Sequence, residues 1–216
     1  MEFLHTVLDF FLHLDQHLAN IINEYGTLTY VILFLIVFVE TGLIVMPLLP
    51  GDSLLFAAGA LAASTGALDV RILMPLLILA ALMGDNVNYF VGKTLGNQIK
   101  MRERILFFKR EYIFETEEFY QKHGGKTVIM ARFIPIIRTI APFVAGAGSM
   151  DYPKYIGYCI AGAILWVVGV TMLGYFFGNI PIIKNNFELV IFGIIGLSVA
   201  PIIFQFLKTK LRRATA

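Results

Sequence analysis

A chain of 216 residues has the length of one ordinary domain, but 58% hydrophobic content and a mean hydropathy of +0.77 exclude a soluble globule and point to an integral membrane protein. The formal net charge of +2 conceals a segregation: of 17 Lys and Arg, eight fall between Lys93 and Lys126 and four between Lys208 and Arg213, while the first 70 residues hold none. A single cysteine, Cys159, excludes an intramolecular disulfide and a thiolate metal site, and His5, His13, His17 and His123 lack ligand spacing, so no metal and no cofactor are expected.

Residues 3–24 carry apolar side chains at 3, 4, 7, 8, 11, 14, 18, 21 and 22, with Asp9, His13, Asp15 and His17 between them. This period predicts an amphipathic helix lying in the membrane interface, the alternative being a first span broken by charges. Met1-Glu2 lacks the basic start of a cleaved signal, so the segment is expected to be retained. Leu28 to Met46 enters the bilayer as a near-continuous apolar run. Pro47, Pro50 and Gly51 end any helix there, and Ser53 is placed to cap a new one from Leu54. Irregular backbone at membrane depth has to be shielded by protein or line a wet cavity, so residues 28–66 are expected to form a re-entrant hairpin.

Leu73 to Val91 is long enough to cross, and a basic amphipathic linker, 93–126, follows. Ile129 to Gly148 is expected to form a second hairpin broken at Pro135 and Pro142, Tyr155 to Phe177 to cross back, and Phe187 to Leu207 to make the last span before the basic tail 208–216. The expected architecture is one all-α integral membrane domain of two inverted repeats, 28–92 and 127–178. Each is a proline-broken re-entrant hairpin plus a transmembrane helix, flanked by the N-terminal amphipathic helix and the final transmembrane helix. The basic linker and C-terminus belong on the cytoplasmic side by the positive-inside rule, and inversion of the whole topology is the alternative.

The repeat is visible in the residues. Phe56-Ala57-Ala58-Gly59-Ala60 is followed 33 positions on by Tyr89-Phe90-Val91-Gly92, and Phe143-Val144-Ala145-Gly146-Ala147 is followed 32 positions on by Tyr175-Phe176-Phe177-Gly178. Acids precede the first copy and arginines the second, the pattern of a transporter built from repeats around a central site.

Four charged residues are the candidate transport and substrate-binding residues. An ionised Glu40 within an apolar run costs about 2.5 to 3.5 kcal/mol, so it requires a partner, a proton or water, and an arginine of the other hairpin is the expected partner. Asp52, after Pro50-Gly51, suits either transport or the capping of a helix start. Arg132 and Arg138 are six apart, which on an unbroken helix places them about 240° apart; Pro135 between them lets both reach one cavity. Their planar forks of donors suit a phosphate, and the alternative is that they only neutralise the two acids. Asp85 is a third acid at mid-span, expected to be hydrogen-bonded near Tyr89 or in a polar wall. His123-Gly124-Gly125 reads as a C-cap turn, with His123 also placed to relay a proton. The glycines on the spans read as packing positions and Trp166 as packing or an interfacial anchor. Metalloprotease, serine-hydrolase and nucleotide-binding signatures are missing, so the chain is not expected to be an enzyme.

Glu40-Thr41-Gly42 through Leu49-Pro50-Gly51-Asp52-Ser53-Leu54-Leu55, Gly84-Asp85-x-x-x-Tyr89, Lys122-His123-Gly124-Gly125, and Ala131-Arg132-Phe133-Ile134-Pro135-x-x-Arg138-Thr139 with Pro142-Phe143-x-Ala145-Gly146 resemble the bacterial DedA family over nearly the whole chain. The resemblance implies two re-entrant hairpins in inverted repeat, shared with eukaryotic VTT-domain lipid scramblases. It also implies movement of lipids across the cytoplasmic membrane, including undecaprenyl phosphate and phospholipids, and proton-dependent membrane homeostasis and drug tolerance. The family's required membrane acids and arginines match Glu40, Asp52, Arg132 and Arg138. The expected function is therefore a lipid translocase (flippase) in the bacterial inner membrane whose partners are lipid phosphates and protons, with no nucleic acid; a homo-oligomer is compatible with the sequence. The alternative is a proton-coupled exporter of small ions or drugs with indirect effects on lipids.

Overall fold

A computed structural model describes residues 14–42, 51–101, 104–105, 108–109, 125–148, 150–181, 183 and 193. Seven helices run through them in chain order: α1 (Leu14–Tyr25), α2 (Leu28–Gly42), α3 (Gly51–Thr65), α4 (Val70–Met101), α5 (Lys126–Ala131), α6 (Pro135–Ala147) and α7 (Tyr152–Phe177). The first part of the expected amphipathic helix, the breaks at Pro47 and Pro50, His123 and the last span 187–207 lie outside the described residues, save for Gly193.

Helix α1 does not use its apolar stripe on lipid alone. Leu18 and Ile22 are buried in one core with Leu54, Leu55 and Ala58 of α3. Gly26, at φ 53°, turns the chain directly into α2, a backbone conformation that glycine adopts without a Cβ penalty. Helix α3 begins at Gly51, three residues earlier than expected, and Ser53 does not cap it: its hydroxyl is buried without a hydrogen-bond partner among the described residues.

Two segments depart from the expected breaks. Helix α4 continues past Val91 to Met101, so the linker starts as helix, and a two-residue antiparallel ladder pairs Arg104–Ile105 (β1) with Phe108–Lys109 (β2). The segment from Lys126 to Ala147 breaks once, not twice. After Ala131 the chain tightens through bonds from Arg132, Phe133 and Ile134 N–H groups to carbonyls three residues back, and Ile134 is extended at φ −117°, ψ 109° because Pro135 disfavours helical backbone before it. Pro135 then opens α6 at a position where no N–H is needed. Pro142, expected as a second break, lies inside α6, which runs on to Ala147. Pro142 leaves the Arg138 carbonyl without its helical donor, and at the next carbonyl, Thr139, the Asn88 amide of α4 donates at 3.4 Å.

The packing crosses the two halves of the chain. Helix α3 lies on α7 and α6 lies on α4, each through glycines that bring backbones into contact. A Cβ on Gly59 would collide with the Thr171 carbonyl and one on Gly174 with the Phe56 carbonyl; likewise Gly146 with the Tyr89 carbonyl and Gly92 with the Phe143 carbonyl. Phe143 thus meets Gly92 as Phe56 meets Gly174, a glycine one turn before the Gly178 of the tetrapeptide match.

Helices α4 and α7 each offer a 26-residue apolar stretch, Val70–Leu95 and Tyr152–Phe177, against the roughly 20 residues a span needs. Their outer faces expose Ile72, Leu79, Met83, Val87 and Phe90 on α4 and Ile160, Ile164, Leu165, Leu173 and Phe176 on α7. Apolar rows this continuous belong against lipid rather than water.

The glycine contacts generate a stability test. Gly146→Ala should lower unfolding stability by about 1–3 kcal/mol, because the backbones at α4 have to separate, whereas Gly157→Ala, whose Cβ meets nothing within 4 Å, should change it by no more than about 0.5 kcal/mol. Thermal unfolding of the two variants in detergent measures the difference.

Candidate functional site

The ionisable residues converge because small residues allow their helices to meet. Helix α2 crosses α4 where Gly42 faces Gly84 and where a Cβ on Gly84 would strike Thr41, so Glu40 and Asp85 arrive in one layer. Asn88 fixes the crossing by donating to the Thr41 carbonyl at 2.6 Å. Helix α3 starts with Gly51 pressed on the Glu40 carboxylate, and a Cβ there would overlap it. The next residue, Asp52, enters the same space from the first turn of α3, where the helix dipole favours an acid.

Arg132 caps the end of α5 and Arg138 sits in the first turn of α6, on either side of the bend at Ile134. The bend removes the opposition that a continuous helix would impose. Both guanidiniums lie over the Trp166 ring of α7, with Cζ 4.2 Å from its centroid for Arg138 and 5.4 Å for Arg132. Gly162, one turn before Trp166, leaves room for the Arg132 stem: a Cβ would stand 3.3 Å from its Cδ.

Four of the five charged residues are almost fully enclosed, Glu40 and Arg138 at 3% exposure, Arg132 at 4% and Asp85 at 0%. Arg138 donates through Nη1 to Glu40 Oε1 at 3.3 Å and through Nη2 to both oxygens of Asp52 at 2.8 and 3.0 Å. The Trp166 indole N–H also donates to Asp52 Oδ1, at 2.5 Å. Arg132 pairs through Nη1 with Asp85 Oδ2. Several polar atoms are left over: Glu40 Oε2, Asp85 Oδ1, Arg132 Nε and Nη2, and Arg138 Nε are buried with no hydrogen-bond partner among the described residues. Among the described residues the cluster contains three carboxylates and two guanidiniums, one acid in excess. Among the described residues no group of His, Cys, Asp and Glu has the arrangement of a metal site.

All four of the leading candidates, Glu40, Asp52, Arg132 and Arg138, meet in this cluster. The partner of Arg132 is Asp85, which sequence reasoning placed near Tyr89 without a charge partner. Tyr89 is outside the cluster: its phenol donates to the Met150 carbonyl at 2.5 Å, and its ring stacks on Tyr155 with centroids 4.4 Å apart. Tyr155 links that aromatic set to the site by donating to the Asp85 backbone carbonyl at 3.0 Å. Trp166 was missed as a site residue. A tryptophan within an apolar run reads as packing, and only its spacing of four from Gly162 hints at a polar cleft on that face.

Helices that present apolar rows outward and enclose an ion-paired polar centre define an integral membrane protein with an internal site. The VTT domain matches residues 49–176. The chain is 48% identical over 217 residues to protein DedA of Escherichia coli K12, covering 100% of this chain and 99% of that protein. It is 46% identical over 166 residues to an uncharacterized membrane protein of Mycobacterium leprae (77% of this chain, 74% of that one). It is also 34% identical over 153 residues to inner membrane protein YqjA of E. coli K12 (71% and 69%). No solved structure matches. The chain belongs to the DedA family of VTT-domain membrane proteins.

Removing one partner of a buried pair leaves a lone buried charge, so Asp85→Ala should cost about 3–5 kcal/mol of stability. The double variant Asp85→Leu with Arg132→Met, which removes both charges, should recover most of that loss; unfolding in detergent of the single and double variants checks the cycle.

Proposed function

We propose that the protein is a lipid translocase that carries a lipid phosphate, of the undecaprenyl phosphate or phospholipid class, across the bacterial inner membrane, coupled to the proton gradient. The observation that carries this reading is the pair of buried guanidiniums on one indole face, retaining unpartnered N–H groups while opposed by one more carboxylate than they can neutralise. Guanidinium donors bind phosphate oxygens strongly in a low dielectric. The surplus of acid supplies sites for the protons that accompany the anion.

In this reading α2 with α3, and α5 with α6, are the arms of two re-entrant hairpins in inverted repeat, and α4 and α7 are their spans. The crossed glycine contacts and the similar placement of Gly92 and Gly174 support such a repeat. The basic linker and tail face the cytoplasm, supported by the concentration of Lys and Arg in them. An inner-membrane location is supported by the name of the relative YqjA. The chain catalyses no covalent chemistry; Arg132 and Arg138 bind the phosphate region, and Glu40 and Asp52 exchange between arginine and proton.

Proteoliposomes holding headgroup-labelled undecaprenyl phosphate or phospholipid test this directly. Wild-type protein should raise the rate at which an external quencher reaches inner-leaflet label, in a manner dependent on the pH gradient, and Arg132→Ala or Arg138→Ala should reduce that rate at least tenfold. Absence of flipping for every lipid by correctly folded protein would sink the translocase and favour a proton-coupled exporter of small ions or drugs.

A further inference from the structure

The two arginines are not equivalent. A guanidinium offers two pairs of parallel N–H donors, the end formed by Nη1 and Nη2 and the side edge formed by Nε and Nη2, and either pair matches two oxygens of a phosphate. Arg138 has both end nitrogens engaged, Nη1 with Glu40 and Nη2 with Asp52. One nitrogen of its side edge, Nη2, is therefore already engaged by an acid, although its Nε has no hydrogen-bond partner among the described residues. Arg132 is tied by Nη1 alone, to Asp85, and its Nε and Nη2 have no hydrogen-bond partner among the described residues although the side chain is enclosed. A complete two-pronged donor edge therefore stands open on Arg132 and not on Arg138. Leaving charged donors unsatisfied in a buried site is costly, and such a group is expected to be completed by an anion.

We propose that Arg132 is the phosphate receptor, binding a tetrahedral phosphate through its Nε/Nη2 edge, and that Asp85 is the positioning residue that holds this edge open. The identity of the ligand as a lipid phosphate rests on the translocase reading; the assignment of roles rests on the guanidinium geometry. Asp85 suits the task because it sits on the rigid α4, whose backbone at that residue is anchored to α7 by the Tyr155 phenol. Its contact at Nη1 restrains the guanidinium. The Arg132 Cζ lies over the Trp166 ring, and Gly162 admits the stem. Arg138 has the complementary role of a latch, bound to the two acids until they are displaced or protonated.

Trp166 is the chain's one tryptophan, so its fluorescence reports this cluster alone. The experiment titrates the full-length protein in detergent with inorganic phosphate and with water-soluble dihexanoyl phosphatidic acid. It compares wild type, Arg132→Lys, Arg138→Lys, Asp85→Asn and Asp85→Leu, each checked for folding by circular dichroism. Arg132→Lys, which keeps the charge but loses the edge, should weaken phosphatidic acid binding at least tenfold, and Arg138→Lys less than threefold. Both Asp85 variants lose the ion pair and with it stability. Asp85→Asn still offers Nη1 an acceptor and should bind within threefold of wild type, while Asp85→Leu should lose at least tenfold.

Loss of binding in Arg138→Lys with normal binding in Arg132→Lys would overturn the receptor assignment while leaving phosphate binding, and the translocase, in place. Equal loss in Asp85→Asn and Asp85→Leu would remove the positioning role. Saturable binding of inorganic phosphate as tight as that of phosphatidic acid supports the receptor edge but makes free phosphate, not a lipid headgroup, its ligand. Wild-type protein that is folded and binds neither probe overturns the translocase and the receptor together.

Discussion

Charge buried among apolar helices has to be matched, and that requirement organises this protein. Glu40, Asp52, Asp85, Arg132 and Arg138 come from five different segments, α2, α3, α4, the end of α5 and α6, and α7 adds Trp166 as the surface on which both arginines rest. No one of these helices can rotate by a residue or slide by a turn without separating an ion pair from its partner. Hydrophobic contact tolerates such slips, because apolar side chains are interchangeable partners in lipid as in a core. Ion pairs do not, so the cluster selects one arrangement from the many that the apolar surfaces would accept.

The glycine contacts make that arrangement physically reachable. Hydrophobic association is weak between helices already in lipid, so close backbone approach and hydrogen bonding carry the packing. Gly42 against Gly84 lowers α2 onto α4, and Gly51 lets α3 start on the carboxylate of Glu40. Away from the charges, Gly59 and Gly174 bind α3 to α7, and Gly92 and Gly146 bind α6 to α4, across the two halves of the chain. Each short helix is thus part of a stiff pair with a long one. A change that opened the cluster would move these pairs as bodies, with the bend at Ile134 a place where the backbone is not helical.

Glu40 could be found from the sequence because the cost of its charge in an apolar run is large and local, and its need of an arginine from elsewhere followed from the same cost. The pairing of particular acids with particular arginines could not. Whether Asp85 meets Arg132 depends on how far α4 is rotated and how α5 ends, which are set by Gly84, Gly162 and the Ile134 bend acting together. Pro142 misled for a related reason: helix breaking by proline is an aqueous expectation, and a proline is tolerated in a membrane helix packed among neighbours, here with the Asn88 amide donating one carbonyl beyond the one Pro142 leaves open. The two motifs were legible, but which glycines pack was not. Tyr-Phe-x-Gly ends at Gly178 in α7, whereas the glycine that meets Phe56 as Gly92 meets Phe143 is Gly174, one turn earlier.

The surplus carboxylate makes proton exchange a consequence of charge balance in the proposed cycle, with no separate coupling device required. With every group ionised the cluster carries one negative charge in a medium that stabilises it poorly, so an incoming phosphate adds repulsion before it adds any bond. Arg132 can accept the anion without first releasing Asp85, because its free edge is separate from the nitrogen that Asp85 holds. Arg138 can turn toward the anion only by releasing Glu40 and Asp52, and a carboxylate that loses its guanidinium in this enclosure is neutralised most cheaply by a proton. The 3.3 Å contact to Glu40 is the longer of the two, whereas Asp52 is held by both Arg138 and the Trp166 indole. In the proposed cycle Glu40 is therefore the first carboxylate to leave and the first to take a proton, and the proposed order runs from Arg132 capturing the phosphate, through Glu40, to the opening of the Arg138 latch.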